Sequence, residues 1–281
     1  MKKLFILFYS VASLSNAQSD SLAVIQAHWK TEKIAKGVQW KSYLFENNLF
    51  GSNQSINILE IKKNRKTVFA FGYDTKVLRH TSEFGKASGA MAALNGTFFD
   101  MKNGGSNDFL KIEGQVIHQN KMQDKRNFHQ KAAICLDRHK LEIQKWNGTP
   151  DWESTLTAKN IMASGPLLIL SNQYEAIDSS AFSYTRHPRT AIVVTKDKRI
   201  LLITVDGRSE HAAGMTLYEL AKLLKWLNAK DGINLDGGGS TTLWIHNQPG
   251  NGVVNYPSDN KVWDHEGERK VANVVLVKKR R

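Results

Sequence analysis

Short β-branched and aromatic segments recur along nearly the whole chain with turn residues between them, and this recurrence restricts the possible folds most. They are Val38 to Phe45, Ile56 to Ile61, Thr67 to Tyr73, Phe109 to His118, Ala132 to Ile143, Pro166 to Leu170, Thr190 to Thr195, Ile200 to Val205, Thr241 to Ile245 and Val271 to Val277. Turn signals such as Asn147-Gly148 and Asp197-Lys198 predict antiparallel neighbours. Helical spacing is clear only over Leu217 to Ala229, where Leu217, Leu220, Ala221, Leu224 and Leu227 share a face. Thr216 with Glu219 forms a capping-box pattern at its start, and Gly232 is the expected stop. A second helix is expected over Ser82 to Leu94, rich in Ala and Gly. Strands without strict strand-helix alternation predict an α+β fold, a single domain with a mixed, largely antiparallel β-sheet core and a few packed helices.

The first residues read as an address. Lys2 and Lys3 precede the apolar run Leu4 to Leu14, and Ser15-Asn16-Ala17 offers small residues for cleavage. Residues 1–17 are therefore expected to be a signal peptide and 18–281 the folded domain, secreted or periplasmic. The run is too short to cross a bilayer, which takes roughly 20 residues, so the protein is not expected to span a membrane. The net charge of +13 suits anionic polymers or phosphorylated glycans. Nucleic acid is not an expected partner, because no recognised binding motif accompanies the charge. Cys135 is the single cysteine, which excludes an internal disulfide and a cysteine-based zinc cluster. Its apolar neighbours mark it as a buried packing residue.

Chemistry concentrates at Ile233-Asn234-Leu235-Asp236-Gly237-Gly238-Gly239-Ser240-Thr241, an apolar strand running into a triple-glycine turn beside an acid. Three glycines let an anion approach main-chain amides, and Ser240 and Thr241 add hydroxyl donors. A tight hairpin stabilised by its own aspartate is the plainer account, but it needs fewer glycines. No lysine follows the glycines, so this is not a nucleotide P-loop.

A second cluster follows from strand register. A two-residue loop at Asp197-Lys198 would set Arg189 opposite Asp206 and His187 opposite Arg208, all on one face. The opposite face would then carry Thr190, Ile192 and Val194 against Val205, Ile203 and Leu201. Weaker candidates are Asn95-Gly96, which precedes two aromatics and reads equally as a turn, and Ser164-Gly165-Pro166, which could present amides to a ligand or form a plain loop.

Six short motifs in order resemble the phosphodiester glycosidase family: Asn95 to Phe99, Ser164 to Pro166, Pro188 to Ala191, Asp206 to Arg208, Gly214 to Leu217 and Asn234 to Ser240. Thr97 and Val193 depart from the family pattern, and the stretches Gln18 to Arg65 and Asn251 to Arg269 carry no signature of it. The resemblance implies hydrolysis of a sugar 1-phosphodiester of the N-acetylglucosamine-1-phospho-glycan type, releasing free sugar and a phosphate monoester. On this reading Arg189 and Arg208 hold the phosphate, with the Gly237, Gly238 and Gly239 amides, Ser240 and Thr241. Asp236 is the expected nucleophile or water-activating base, and Asp206 orients Arg189 or takes that role instead. Asn95, Gly96, Ser164 and Gly165 complete the expected substrate site. The reading needs no cofactor and no metal. Two alternatives stand beside it: a metal-dependent phosphohydrolase using Asp206, Asp236 and His187, and a non-enzymatic binder of envelope glycans or polyanions.

Overall fold

The computed structural model describes residues 19–62, 66–119, 126–137 and 140–280, and the expected leader 1–17 lies outside them. A helical segment at 19–25, here α1, precedes three successive strands, β1 (Lys30–Ala35), β2 (Val38–Leu49) and β3 (Ser52–Ile61). After β4 (Thr67–Tyr73) and helix α2 (Thr81–Ala87) come β5 (Ala92–Asn95), β6 (Leu110–Ile112), β7 (Gln115–His118), β8 (Ala132–Asp137) and β9 (Lys140–Lys145). The short helix α3 (Trp152–Thr155) leads to β10 (Asn160–Ser164), β11 (Leu167–Leu170) and β12 (Gln173–Tyr174). Helix α4 (Ala181–Tyr184) precedes the hairpin β13 (Arg189–Thr195) and β14 (Ile200–Val205). Helix α5 (Leu217–Trp226), β15 (Ala229–Asn234), β16 (Leu243–Ile245) and β17 (Asn273–Lys279) complete the order.

These strands form three sheets, ordered β1-β2-β3-β14-β13-β15-β11-β12, β7-β6-β10-β8-β9 and β16-β5-β17-β4. The pairs along each are antiparallel, for example β14 on β3, β10 on β8 and β17 on β5. All three sheets turn an apolar face to one interior, where Leu59, Ile192 and Leu202 meet Ile134 and Met162 and also Leu94, Val275 and Val277. Because the large sheet is covered on both sides, its central strands are apolar on both faces rather than alternating. Its outer face carries Ala191, Val193, Leu201 and Ile203, packed against Leu217, Leu220 and Leu224 of α5. Trp244 and Phe84 pack outside the four-stranded sheet, and Trp152 and Cys135 outside the five-stranded one. Burial pushes the Cys135 thiol up to about 12, as befits a packing residue.

The α5 start follows its sequence signature: Glu219 N donates to Thr216 Oγ1 at 3.1 Å and Thr216 N to the Glu219 carboxylate at 2.9 Å. Its end does not, because Asn228 at φ +68 breaks the helix and Gly232 lies inside β15. The expected helix over Ser82 to Leu94 is half right. It stops at Ala87, and Ala92 to Asn95 are a strand enclosed between β16 and β17. Alanine has high helix propensity, but burial in the sheet overrides it there.

The register of the β13–β14 hairpin is also corrected. Arg189 lies opposite Val205 and Thr190 opposite Thr204. The loop holds three residues, since Thr195 N donates to Arg199 O at 2.9 Å and Lys198 takes φ +62. Thr195 Oγ1 secures it, donating to Asp197 at 2.6 Å and accepting from Arg199 N at 2.8 Å. A shift of one residue changes every pairing. No charged face forms, and Arg189 and Asp206 point into different surroundings.

Candidate functional site

One edge of the molecule gathers the strand ends that the sequence singled out. Asn95 ends β5, Ser164 ends β10, Val205 ends β14 just before Asp206, Asn234 ends β15 and Arg189 starts β13. Beyond β15 the chain makes the glycine turn, a single 3₁₀ turn over Gly238–Ser240. A row of buried polar groups fixes this turn from beneath. Asn95 Nδ2 donates to Asp236 O at 2.7 Å, and its Oδ1 accepts from Thr190 Oγ1 at 2.9 Å and Thr242 N at 3.0 Å. Asp236 N donates to Gly96 O at 3.1 Å, and Gly96 N to Asn273 O at 3.0 Å. Thr190 Oγ1 also reaches Thr241 Oγ1 at 3.3 Å, and Ser164 Oγ donates to Asn234 O at 3.2 Å. Gly165 O accepts from Asn234 Nδ2 at 3.0 Å. Asn95, Gly96, Ser164, Gly165 and Thr241 therefore spend their polar groups inside the protein, as the frame of the turn.

Asp236 itself is half-buried. Packing around the carboxyl pushes its pKa up to about 6, and the charge of Asp108 adds to the rise. Ser240, the guanidinium of Arg269 and the Gly237 amide pull the other way. The Gly237 N–H donates to Asp236 Oδ1 at 3.0 Å, whereas the Ser240 hydroxyl is buried nearby without closing a hydrogen bond. Gly238 N donates to Pro188 O at 2.9 Å. Two of the three glycine amides are thus committed, so an incoming anion meets at most that of Gly239. The glycines instead admit cations. Gly238 stands at φ +60, and a Cβ there would lie 3.0 Å from Arg208 Nη2. A Cβ on Gly239 would lie 2.4 Å from Asp259 Oδ1 and 2.6 Å from Arg269 Nη2. The turn therefore has guanidinium groups against two successive residues.

Arg208 is exposed, with Nη2 3.5 Å from His187 Nδ1, so the expected proximity of these two is observed. Burial, then Arg189 and Arg208, push the His187 pKa down and favour the neutral ring. Arg189 differs from expectation. It is 1% exposed, donates to Met215 O at 2.8 Å, Phe182 O at 2.7 Å and Thr185 O at 2.9 Å, and lies over the Phe182 ring. Burial and the nearby Arg208 push it down to about 10. Asp206 does not orient it. That carboxylate is 0% exposed and accepts from Ser55 Oγ at 2.6 Å, Asn255 Nδ2 at 2.9 Å and Tyr256 N at 3.0 Å. Among the described residues no three His, Cys, Asp or Glu side chains converge as a metal set, and the trio Asp206, Asp236 and His187 is not assembled.

Several contributors carried no sequence signal. Arg269 and Asp259, joined at 2.5 Å, come from the stretch Asn251 to Arg269 that lacks a recognised motif. Trp263 from the same stretch stacks on Tyr256 at 4.0 Å and touches His211, which follows Arg208. Across the site, Phe98 contacts His129 at 4.7 Å and Phe182 at 6.2 Å, making an aromatic wall.

A model of the phosphodiester glycosidase family matches residues 88–278. The chain belongs to the phosphodiester glycosidase family. The mouse N-acetylglucosamine-1-phosphodiester alpha-N-acetylglucosaminidase is 24% identical over 208 residues, which is 68% of this chain and 38% of that protein. The human enzyme of the same name is 26% identical over 216 residues, covering 69% of this chain and 39% of that protein. The chain thus spans under two fifths of these relatives. Among solved structures, the zebrafish catalytic domain, auto-inhibited by its pro-peptide, superposes with a TM-score of 0.67 at 20% identity, covering 90% of this chain and 89% of that one. A hypothetical protein from Synechocystis gives 0.68 at 16% identity, covering 90% and 64%. These two likenesses concern the fold alone. No helix among the described residues is long and apolar enough to cross a membrane.

Proposed function

We propose that this edge of the molecule hydrolyses a sugar 1-phosphodiester at the sugar–oxygen bond, releasing free sugar and a phosphate monoester. The observation that carries the reading is Asp236, a half-buried carboxylate on a glycine turn with Arg208 against Gly238 and Arg269 against Gly239. A phosphate monoester loses its last proton with a pKa of about 6, so it leaves without needing a strong acid. What it needs is charge stabilisation, which guanidinium groups supply in a matching planar geometry. Arg208 and Arg269 take that role, and Arg189 supports the wall behind them through three carbonyls. Asp236 faces the anomeric carbon, and Asp206 holds the floor. The names of the mouse and human relatives favour N-acetylglucosamine as the sugar. The protein acts after export, with residues 1–17 as the leader.

The test is hydrolysis of an N-acetylglucosamine 1-phosphodiester, with UDP-N-acetylglucosamine alongside, in water enriched in oxygen-18. Label in the sugar supports the reading. Label in the phosphate transfers the chemistry to phosphorus and replaces it with a phosphohydrolase.

A further inference from the structure

The reaction proposed above leaves one proton to be moved. The phosphate departs without one, so only the attacking water must lose one. Asp236 already faces the anomeric carbon, and its Oδ1 is held by the Gly237 amide at 3.0 Å. A second base is therefore sought near the turn, and the aromatic wall of Phe98 contains one. His129 Nδ1 lies 2.8 and 2.9 Å from the two carboxylate oxygens of Asp108, which is fully buried. Thr97 Oγ1 at 3.0 Å and Gln130 Nε2 at 3.1 Å donate to the same carboxylate and hold it in place. A carboxylate on Nδ1 assigns the ring proton to that nitrogen and leaves the lone pair on Nε2. The His129 side chain keeps 17% exposure, against 0% for Asp108, so the ring and not its partner meets solvent.

The backbone ties the dyad to the glycine turn: Asp236 N donates to Gly96 O at 3.1 Å, and the next residue, Thr97, donates to Asp108 at 3.0 Å. The charge of Asp108 accordingly adds to the rise of the Asp236 carboxyl. The His129 ring contacts Phe98, which contacts Phe182, which in turn stacks on His187 beside Arg208. The Ser164-Gly165-Pro166 segment gains a purpose here. A Cβ at Gly165 would lie 2.7 Å from Phe128 O and 3.1 Å from His129 Cα, so glycine lets this loop back the histidine closely.

We infer that His129 Nε2 takes the proton of the hydrolytic water while Asp108 positions the ring, an assignment that rests on the sugar 1-phosphodiester reading. The water oxygen bonds to the anomeric carbon as its proton passes to Nε2. The electron pair of the bond broken at that carbon leaves with the phosphate monoester, or with the Asp236 carboxylate where that group has first taken the sugar. His129 then returns the proton to solvent. Asp–His pairing of this kind orients the base in hydrolases of unrelated fold.

The experiment follows sugar release from an N-acetylglucosamine 1-phosphodiester by the full chain, its His129→Ala and its Asp108→Asn variants. His129→Ala is expected to lower kcat by about 10²- to 10⁴-fold with KM nearly unchanged, and free imidazole to restore part of the rate with saturation. Asp108→Asn places an amide donor against Nδ1, moves the ring proton to Nε2, and is expected to lower kcat by at least about 10²-fold. A folded His129→Ala protein that keeps its rate, or that imidazole leaves silent, overturns the assignment. If His129→Ala does not fold, wild-type kcat in Asp108→Asn overturns it. A wild-type protein that releases no sugar defeats the underlying reading, a result distinct from both.

Discussion

Asp236 immediately precedes the glycine turn and Asp206 lies two residues before Arg208, yet their surroundings separate them. Burial raises both. Asp206 has its oxygens occupied by Ser55, Asn255 and the Tyr256 amide, so its charge is spent in holding β3 and the 255–256 segment together. Asp236 has one backbone donor and is only half-buried, as its proposed role requires. Because the ionised form is the reactive one, kcat/KM is expected to rise with pH through about 6, the pKa of Asp236. The same shift works against stability. A carboxyl whose folded pKa stands above the unfolded value stabilises the protein fully below the unfolded pKa, and that contribution is lost as pH rises through about 6. Asp236→Asn should therefore abolish turnover and, in melts above pH 6, stabilise the fold by about 1–2 kcal/mol, with the gain vanishing near pH 4. An Asn variant that melts no higher than wild type at neutral pH contradicts this. The two arginines make a matching contrast. Arg189→Leu leaves a buried carbonyl and two part-buried ones without their donor and should cost about 3 kcal/mol by denaturant unfolding. Arg208→Ala, at an exposed position, should leave the unfolding midpoint unchanged while raising KM or lowering kcat.

At the scale of elements, what could be read from the sequence was what is decided locally. The start of α5 was legible because the Thr216–Glu219 exchange and the apolar spacing both lie within two turns. Its end was not, because Asn228 closes the helix in the left-handed region while Gly232 serves a close approach to Leu224 in β15. Thr67–Tyr73 and Ile200–Val205 match their expected bounds, as alternating or continuous β-branched runs should. Ala92–Asn95 could not be told from helix, since its identity comes from β16 and β17 on either side. The hairpin loop shows how one residue governs a larger reading. Lys198 pays a left-handed conformation at φ +62 to give the three-residue loop. Lys198→Gly is expected to raise stability by roughly 0.5–1 kcal/mol with turnover unchanged, measured as a higher denaturant midpoint at constant slope.

At the scale of the whole molecule, the proposed function depends on strand ends from three sheets meeting at one edge. Asp236, Arg208, Arg269 and Asp108 arrive on four separate segments, and an apolar interior shared by the sheets keeps their spacing. The overall charge, +13 for the whole sequence and +11 once Lys2 and Lys3 leave with the proposed leader, would add a long-range pull on the proposed phosphodiester. Raising ionic strength from about 0.02 to 0.5 M should therefore lower kcat/KM several-fold through the Debye length, with kcat little affected. A salt-independent kcat/KM would place the attraction entirely within the cleft.

The amino-acid order alone determined the α+β class, the strand-rich core, the α5 cap and the acid on its glycine turn, because propensity, periodicity and short motifs act over a few residues. It also singled out Arg208 and Asp236 as candidates by type and neighbourhood. Only the tertiary structure decided that Asn95, Ser164, Thr241 and Asp206 form the frame, that Arg189 is enclosed, that Arg269 lies against Gly239 and that Asp108 pairs with His129. Those assignments depend on burial and on contacts between segments far apart in the chain, and neither quantity has a local signature.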